Sequence, residues 1–295
     1  MPAERREPRT WFAIAIALLL WASAFAGIRA GLRDFGPGEL ALLRFGTASV
    51  ALALYALVRR MRLPDRRDLP VIVLAGFLGI SVYHVALNYG EQTVTAGAAA
   101  LLISTSPVFT AVLSTRFLGE RLTPWGWAGV LIAFAGAVLI AFGEGGGIAF
   151  NTDAVLILVA AVATSLYFIV SKPPLRRYRA IEFTTYAIWA GTVPLLVFLP
   201  GLAGQLPSAD PSSTIAVIYL GIFPGAIAYV LWSYALARMP ASVLSTFLYF
   251  QPVNATIIAW LWLKEVPSAL SLLGGAVSLS GVVIVNTKGA ERAGT

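Results

Sequence analysis

The sequence predicts an all-α integral membrane protein with ten transmembrane helices, arranged as two five-helix repeats of inverted topology. The composition is the first indication, because 58% of the 295 residues are hydrophobic and only 12% are charged, whereas soluble domains hold about 25% charged residues. The second is that the chain matches itself at a fixed offset of 145 residues. The third is that each copy contains five apolar segments, each close to the roughly 20 residues that a membrane-spanning helix needs.

The internal repeat defines the predicted organisation. Residues 1–145 form the first repeat and residues 146–295 the second, with the boundary in the loop after Gly143. Because five is an odd number of spans, the two copies must enter the membrane from opposite sides. An inverted repeat of this kind is typical of secondary transporters, with the binding site between the halves near the midplane. Matching pairs include Gly76 and Gly221, Tyr89 and Tyr234, Pro107 and Pro252, Glu120 and Glu265, Gly129 and Gly274, and Gly136 and Gly281.

The ten segments should be helices, because unpaired backbone groups are not tolerated in hydrocarbon. Period-2 alternation, which a membrane barrel would show, is absent. The predicted spans are 11–31, 38–58, 69–90, 94–116, 124–143, 152–171, 181–200, 212–236, 240–262 and 268–287.

The basic residues favour one orientation in the membrane. If the N-terminus is cytoplasmic, 17 of the 21 lysines and arginines fall in cytoplasmic segments, which is a strong positive-inside pattern. Both termini are therefore expected in the cytoplasm, as an even number of spans requires. The net charge of +7 is interpreted as this topology signal facing anionic lipid, not as a nucleic-acid surface.

Signatures of catalysis, cofactors and metals are absent from the sequence. It contains no cysteine and a single histidine, His84, and it lacks the phosphate-binding and zinc-protease motifs. We therefore expect neither an enzyme nor an ATP-driven pump, and we predict no cofactor and no metal site. The acidic residues lie outside the middle of the spans, so a proton relay through buried carboxylates is not expected.

Paired prolines interrupt the fourth and ninth spans at equivalent positions, Pro107 and Pro252. Proline has no N–H to donate, so the carbonyls of Ile103 and Leu248 were expected to lose their helical partners. Interrupted helices at matching positions indicate a transporter site, although a plain kink healed by a neighbouring hydroxyl is the alternative. Gly79 and Pro224 are a second matching pair at which a helix could bend. The predicted hinge residues are Gly79, Pro107, Pro224 and Pro252.

Polar and aromatic side chains concentrate on the spans expected to face the centre. His84 and Asn88 share one face of the third span, and groups at such depth usually face a cavity or the bundle interior. Arg44 is the lone basic residue within a span. It could extend toward the outer interface, or it could pair with a carboxylate or a helix C-terminus, and the sequence leaves the choice open.

The paired motifs resemble a known repeat. Pro107…Gly119-Glu120-Arg121-Leu122…Gly129…Gly136 and its second copy, together with Trp21-Ala-Ser-Ala-Phe-Ala-Gly and Pro37…Leu40…Arg44, resemble the EamA repeat of the drug/metabolite transporter superfamily. Within it, the chain is most similar to bacterial aromatic amino-acid exporters of the YddG type. That resemblance implies a bacterial inner-membrane location, a central cavity formed by the first, third, fourth, sixth, eighth and ninth helices, and peripheral fifth and tenth helices. The predicted substrate-binding residues are Trp21, Tyr83, His84, Asn88, Ser104, Tyr167, Tyr229, Trp232, Tyr249 and Gln251.

The expected function is export of small neutral or aromatic amino acids, or similar metabolites, by alternating access. The freed carbonyls, with Ser104, Asn88 or Gln251, would bind the ammonium group of the amino acid. Facilitated diffusion and proton coupling through His84 both stay open. The alternatives are an exporter of drugs, nucleosides or sugar derivatives and, less favoured, a membrane enzyme, receptor or scaffold. We expect a monomer or a weak homo-oligomer, with the small-residue faces of the fifth and tenth spans used for packing within the chain in preference to a dimer.

Overall fold

A computed structural model of the protein describes residues 8–117, 123–144, 151–238 and 241–288. All regular structure in these ranges is helical, with no strand. The predicted repeat boundary at residues 145 and 146 lies outside the described residues, as does Glu120 in the loop before the fifth span.

The helices follow the ten predicted spans. In the first half they are α1 (Pro8–Gly31), α2 (Pro37–Val58), α3 (Leu69–Gly76), α4 (Tyr83–Gly90), α5 (Ala96–Ile103), α6 (Ser106–Phe117) and α7 (Pro124–Glu144). In the second half they are α8 (Asp153–Ser171), α9 (Ala180–Leu195), α10 (Leu199–Gln205), α11 (Pro211–Leu220), α12 (Ala228–Arg238), α13 (Ala241–Ser245), α14 (Gln251–Leu263) and α15 (Ala269–Lys288). Several spans are composite, since α3 with α4, α5 with α6, α9 with α10, α11 with α12, and α13 with α14 each form one crossing.

Apolar length supports a ten-helix membrane fold. Within the described ranges, six helical stretches are long and apolar enough to cross a membrane, and four shorter apolar helices lie at the predicted fourth, fifth, ninth and tenth spans. The prediction of an all-α membrane protein with ten spans is confirmed.

The third and eighth spans change helix type at matching places. A π-helical segment, Phe77–Val82, joins α3 to α4, and a second one, Gly221–Ile227, joins α11 to α12. Gly79 and Pro224 lie inside these segments, 145 residues apart. A π turn widens the helix and is found often at functional sites. The two positions at which a bend was predicted, Gly79 and Pro224, therefore lie where the helical winding changes.

The fourth and ninth spans are also interrupted at matching places. The α5 helix ends at Ile103, two turn residues follow, and α6 begins at Ser106. In the ninth span a 3₁₀ segment, Thr246–Phe250, separates α13 from α14. Each helix resumes immediately before the paired prolines, because a proline is tolerated in the first helical turn, where its missing N–H removes no bond.

Glycines let the fifth and tenth spans pack closely against each other. A Cβ added at Gly136 would lie 2.3 Å from the backbone nitrogen of Ser278, and one added at Gly281 would lie 2.4 Å from that of Ala133. These two contacts are related by the 145-residue offset, so α7 and α15 meet face to face across the axis that relates the repeats. Small residues at such crossings allow backbones to approach in lipid. The prediction that these faces pack within the chain is confirmed.

The same symmetry relates the contacts of the third and eighth spans. A Cβ at Gly76 would lie 2.2 Å from the carbonyl oxygen of Ala187 in α9, and one at Gly221 would lie 2.4 Å from that of Arg44 in α2. The third span therefore packs on the seventh, and the eighth packs on the second. Each half therefore packs a helix against the other half, and the central space lies between the two halves.

Candidate functional site

A small cavity lies between the two halves. It is lined by side chains from seven spans, and these side chains are Trp21, Ala24, Phe25, Ile28, Arg44, Tyr83, His84, Leu87, Ile103, Thr164, Phe168, Tyr229, Leu248 and Gln251. The first, third, fourth, sixth, eighth and ninth spans contribute, as the family resemblance implied, and the second span adds Arg44. The cavity volume, measured as the room open to the centres of water molecules, is about 30 Å³, enough for about two or three waters.

Two equivalent residues of the repeats meet inside this cavity. Nε2 of His84 lies 3.0 Å from the hydroxyl oxygen of Tyr229, and the two residues are 145 positions apart. Residues related by a two-fold axis can touch only if they lie beside that axis. The His84–Tyr229 contact therefore places the cavity on the axis that relates the two halves.

Hydrogen bonds assign the proton positions at this contact. The Tyr229 hydroxyl donates to the carbonyl oxygen of Gly79 at 2.9 Å. Because a hydroxyl has one proton to give, Nε2 of His84 must donate to Tyr229. Nδ1 of His84 is then the unprotonated nitrogen, and it is buried without a partner among the described residues.

Cavity aromatics also satisfy the carbonyls of the two π segments. The indole N–H of Trp21 donates to the carbonyl oxygen of Pro224 at 3.1 Å, and Tyr229 does the same for Gly79. These two carbonyls occupy equivalent positions in the two repeats. Trp21 and Tyr229 also contact each other edge to face, with ring centroids 5.3 Å apart. Side chains of the cavity wall are thus hydrogen-bonded to the segments where the third and eighth spans change helix type.

Five of the ten predicted substrate-binding residues are brought together by this cavity. They are Trp21, Tyr83, His84, Tyr229 and Gln251. Tyr83 and His84 are in edge-to-face contact at 4.5 Å. His84 and Gln251 are almost fully buried from outer solvent, so any solute that they contact must reach them through the cavity.

The other five predicted residues lie behind or away from the cavity. The ring of Tyr167 packs on Gly79, and Trp232 packs behind Trp21 with centroids 4.9 Å apart. Tyr249 joins a separate apolar cluster beside α7 and α15. The Asn88 amide donates to the carbonyl of Pro37 at 2.9 Å. Ser104 donates back to Ala100 in its own helix at 2.8 Å.

The expectation of freed carbonyls before the prolines was wrong. The hydroxyl of Ser106 donates to the carbonyl oxygen of Ile103 at 2.6 Å. The backbone N–H of Gln251 donates to that of Leu248. Local turn and 3₁₀ geometry supplies the missing donor in each case, which is how a proline interruption is commonly healed in a membrane helix. Neither carbonyl is therefore left without a donor by the proline.

Arg44 does not extend to the outer interface. Its side chain is 1% exposed and lines the cavity. Nε and Nη1 are both buried with no hydrogen-bond partner in the part of the chain that the structure describes. The carbon of its guanidinium lies 5.3 Å from the centroid of the Phe45 ring. The sequence shows that α2 carries a positive charge, but it does not show that the Arg44 side chain points into the cavity.

A polar cluster lies at one end of the bundle. The Arg29 guanidinium, at the end of α1, donates to the Glu265 carboxylate at 3.0 Å and to the carbonyl oxygen of Glu91 at 2.7 Å. The cluster ties the first span to the loop between the third and fourth spans and to the loop between the ninth and tenth. Glu91, which sequence analysis did not single out, is fully buried, and neither carboxylate oxygen has a hydrogen-bond partner within the described ranges.

The family follows from comparison with known proteins. The model of the EamA-like transporter family matches residues 9–142 and again residues 152–287. The chain belongs to the EamA-like transporter family. The two matches cover the two repeats that the 145-residue offset predicts, and membership supports a transporter in place of an enzyme.

Relatives that are named as transporters match most of the chain. It is 45% identical over 269 residues to the uncharacterized transporter YdfC of Bacillus subtilis, covering 91% of this chain and 88% of the relative. It is 43% identical over 277 residues to a probable terminal-alkyne amino-acid exporter of Streptantibioticus cattleyicolor, covering 94% of this chain and 93% of the relative. A crystal structure with 25% identity superposes with a TM-score of 0.66, covering 94% of this chain and 96% of that one, which supports the fold.

Proposed function

We propose that this EamA-like transporter is an inner-membrane exporter of small neutral or aromatic amino acids that works by alternating access. The observation that carries the proposal is the aromatic cavity on the axis between the two halves, in a chain 43% identical to a probable exporter of an amino acid. Binding at the interface of inverted repeats is the usual arrangement in secondary transporters.

The chemistry of the cavity suits an amphipathic solute with one apolar end. Trp21, Phe25 and Phe168 offer ring faces and edges, and such surfaces bind apolar or aromatic groups in preferred geometries. His84 and Gln251 add hydrogen-bonding groups within the same enclosure. A mostly apolar pocket with a few convergent polar groups is the common form of a small-molecule site.

The size of the cavity supports a cycle between conformations. Room for two or three waters is several times too small for an amino acid, so binding requires the two halves to separate at one end. The interruptions beside Pro107 and Pro252, and the π segments that contain Gly79 and Pro224, are the proposed hinges. Both termini would lie in the cytoplasm, as the distribution of basic residues indicates.

Flux measurements on the purified full chain test this proposal. Proteoliposomes would be loaded with labelled phenylalanine, threonine or glutamate, and efflux would be compared with that from protein-free liposomes. Phenylalanine and threonine should leave faster than glutamate. The variant Trp21→Ala, which removes a cavity wall, should slow phenylalanine efflux, whereas Trp125→Ala, at a side chain 60% exposed on the membrane face, should not.

The proposal would be contradicted by equal flux of all three solutes, or by no flux above that of empty liposomes. Selective flux of a drug or nucleoside in the same vesicles would instead identify the alternative substrate class within the family.

A further inference from the structure

The guanidinium of Arg44 is a buried cation without a buried partner at hydrogen-bonding distance. Its Nε and Nη1 atoms make no hydrogen bond to any described residue, although the side chain is 1% exposed. A charge without a hydrogen-bonded partner in a low-dielectric interior is unfavourable. Such an arrangement persists where the missing partner is supplied by a ligand or by water.

Neighbouring groups do not supply that partner. The titratable groups near enough to act on Arg44 electrostatically include Tyr229, Tyr83, His84 and the buried carboxylate of Glu91. None forms an ion pair with it, since the ion pairs found among the described residues involve Arg29, Arg67 and Arg177. Arg44 thus faces the cavity, and its Nε and Nη1 donors are unused.

The fold itself does not require a cation at this position. The residue 145 positions further on, in the equivalent helix of the second repeat, is Trp189. Its indole donates to the carbonyl of Ser49 at 3.2 Å, and the second repeat builds the same helix pairing without a charge. The guanidinium is therefore specific to the first repeat and to the side of the cavity that it lines.

We infer that Arg44 binds the carboxylate of the transported solute, and that the solute is a monocarboxylate with an apolar or aromatic remainder. This inference rests on the proposed function and names the group of the substrate that the cavity recognises. A guanidinium presents its N–H groups as a planar fork that matches the two oxygens of a carboxylate. Enclosure by Phe25, Tyr83 and Tyr229 lowers the local dielectric around a bound carboxylate and strengthens that pairing.

One buried cation also sets the charge that the cavity accepts. A single carboxylate neutralises Arg44, whereas a dicarboxylate such as glutamate would bring a second charge that no second arginine or lysine of the cavity lining meets. An amide of the same shape would offer Arg44 one neutral oxygen in place of two charged ones, and an ammonium would offer no acceptor. Selectivity should therefore follow the carboxylate more strongly than the identity of the side chain.

A ligand series on the unmodified full chain tests the inference directly. Binding to the purified protein in detergent would be measured for phenylalanine, phenylalanine amide, 3-phenylpropionate and glutamate. Phenylalanine amide should bind about 10- to 100-fold more weakly than phenylalanine, which is the loss of one charge-assisted hydrogen-bonded contact. The carboxylate-bearing 3-phenylpropionate should keep measurable binding. Equal affinities for phenylalanine and its amide would overturn the inference without the use of any variant.

Substitutions then locate the carboxylate contact. Arg44→Gln should reduce the difference between phenylalanine and its amide to less than about threefold, and Arg44→Lys should retain part of it, because an ammonium keeps the charge but not the fork. Arg33→Gln removes a positive charge from an exposed outer position of the same repeat and should leave the difference unchanged. Full discrimination by Arg44→Gln would overturn the inference.

The design separates this inference from the proposed function. If the protein binds 3-phenylpropionate through Arg44 but neither binds nor moves phenylalanine, the amino-acid function fails and the carboxylate site stands. If phenylalanine and its amide are moved equally well, the carboxylate site fails and the exporter function stands.

Discussion

Replacing Tyr229 by phenylalanine removes one oxygen atom at the axis between the two repeats. That hydroxyl donates to the carbonyl of Gly79 at 2.9 Å and accepts from Nε2 of His84 at 3.0 Å. Tyr229→Phe therefore leaves a buried acceptor and a buried donor unpaired at once. The ring, which is 4% exposed, keeps its packing, so the effect isolates the hydrogen bonds.

The expected effect is a clear loss of stability. A buried polar group left without a partner raises the free energy of the folded state by about 1–3 kcal/mol, so two such groups should lower the unfolding free energy by about 2 kcal/mol even after local relaxation. For a chain of this size that corresponds to a fall in Tm of about 2–4 °C per kcal/mol.

Thermal unfolding of the purified protein in detergent would measure this change. Tyr89→Phe is the matched control, because its ring is 39% exposed and the substitution removes the same atom from a surface position. Its Tm should lie close to that of the unmodified chain. If Tyr229→Phe shifts Tm no more than Tyr89→Phe does, the hydrogen bonds of Tyr229 with Gly79 and His84 do not stabilise the fold.

Three further predictions concern other parts of the bundle. Arg29→Gln and Glu265→Gln should each lower stability, and in a double-mutant cycle their effects should fall short of additive by about 0.5–1 kcal/mol; strict additivity would show that the outer ion pair is not formed. Gly136→Ile should prevent folding or lower Tm strongly, because its Cβ alone would lie 2.3 Å from backbone of α15, whereas Gly46→Ala, with nothing within 4 Å, should behave normally. Hydrogen bonds from Ser212, in the first turn of α11, lower the pKa of the Asp210 carboxyl. That cap is therefore complete above the unfolded pKa, and the protection of this turn against hydrogen exchange, relative to the intrinsic exchange rate at each pH, should decrease as the pH falls below about 4. Asp210→Asn should abolish this pH dependence.

The architecture could be predicted from the sequence because two strong signals agree. Apolar length defines membrane spans almost regardless of tertiary detail, and the 145-residue repeat gives the relation between the halves. The places of the helix interruptions followed from the matching Gly79 and Pro224 and from the paired prolines. What the sequence did not give was the kind of interruption, since π and 3₁₀ winding depend on which donors lie nearby in three dimensions.

The site could be predicted only in part, because lining a cavity depends on the rotation of each helix. Trp21, Tyr83 and Tyr229 point inward, whereas Trp232 lies one layer behind the wall that they form. Arg44 was the largest omission, since a lone arginine in a span is compatible with an extended side chain at the interface. The contact between His84 and Tyr229 had a usable signal, because both are polar and both occupy the same position of the repeat.

Access to the cavity from opposite sides of the membrane is the central claim, and it can be measured in this cysteine-free chain. Ala24 and Thr164 both line the cavity, and the proposed topology puts the first in the outer half of α1 and the second in the inner half of α8. Single variants Ala24→Cys and Thr164→Cys would be labelled with a membrane-impermeant thiol reagent, added outside for the first and inside for the second. Adding Arg29→Gln, which removes the outer ion pair, should speed outside labelling at position 24 and slow inside labelling at position 164. Changes in the same direction at both positions, or at neither, would contradict an exchange between two oppositely facing states.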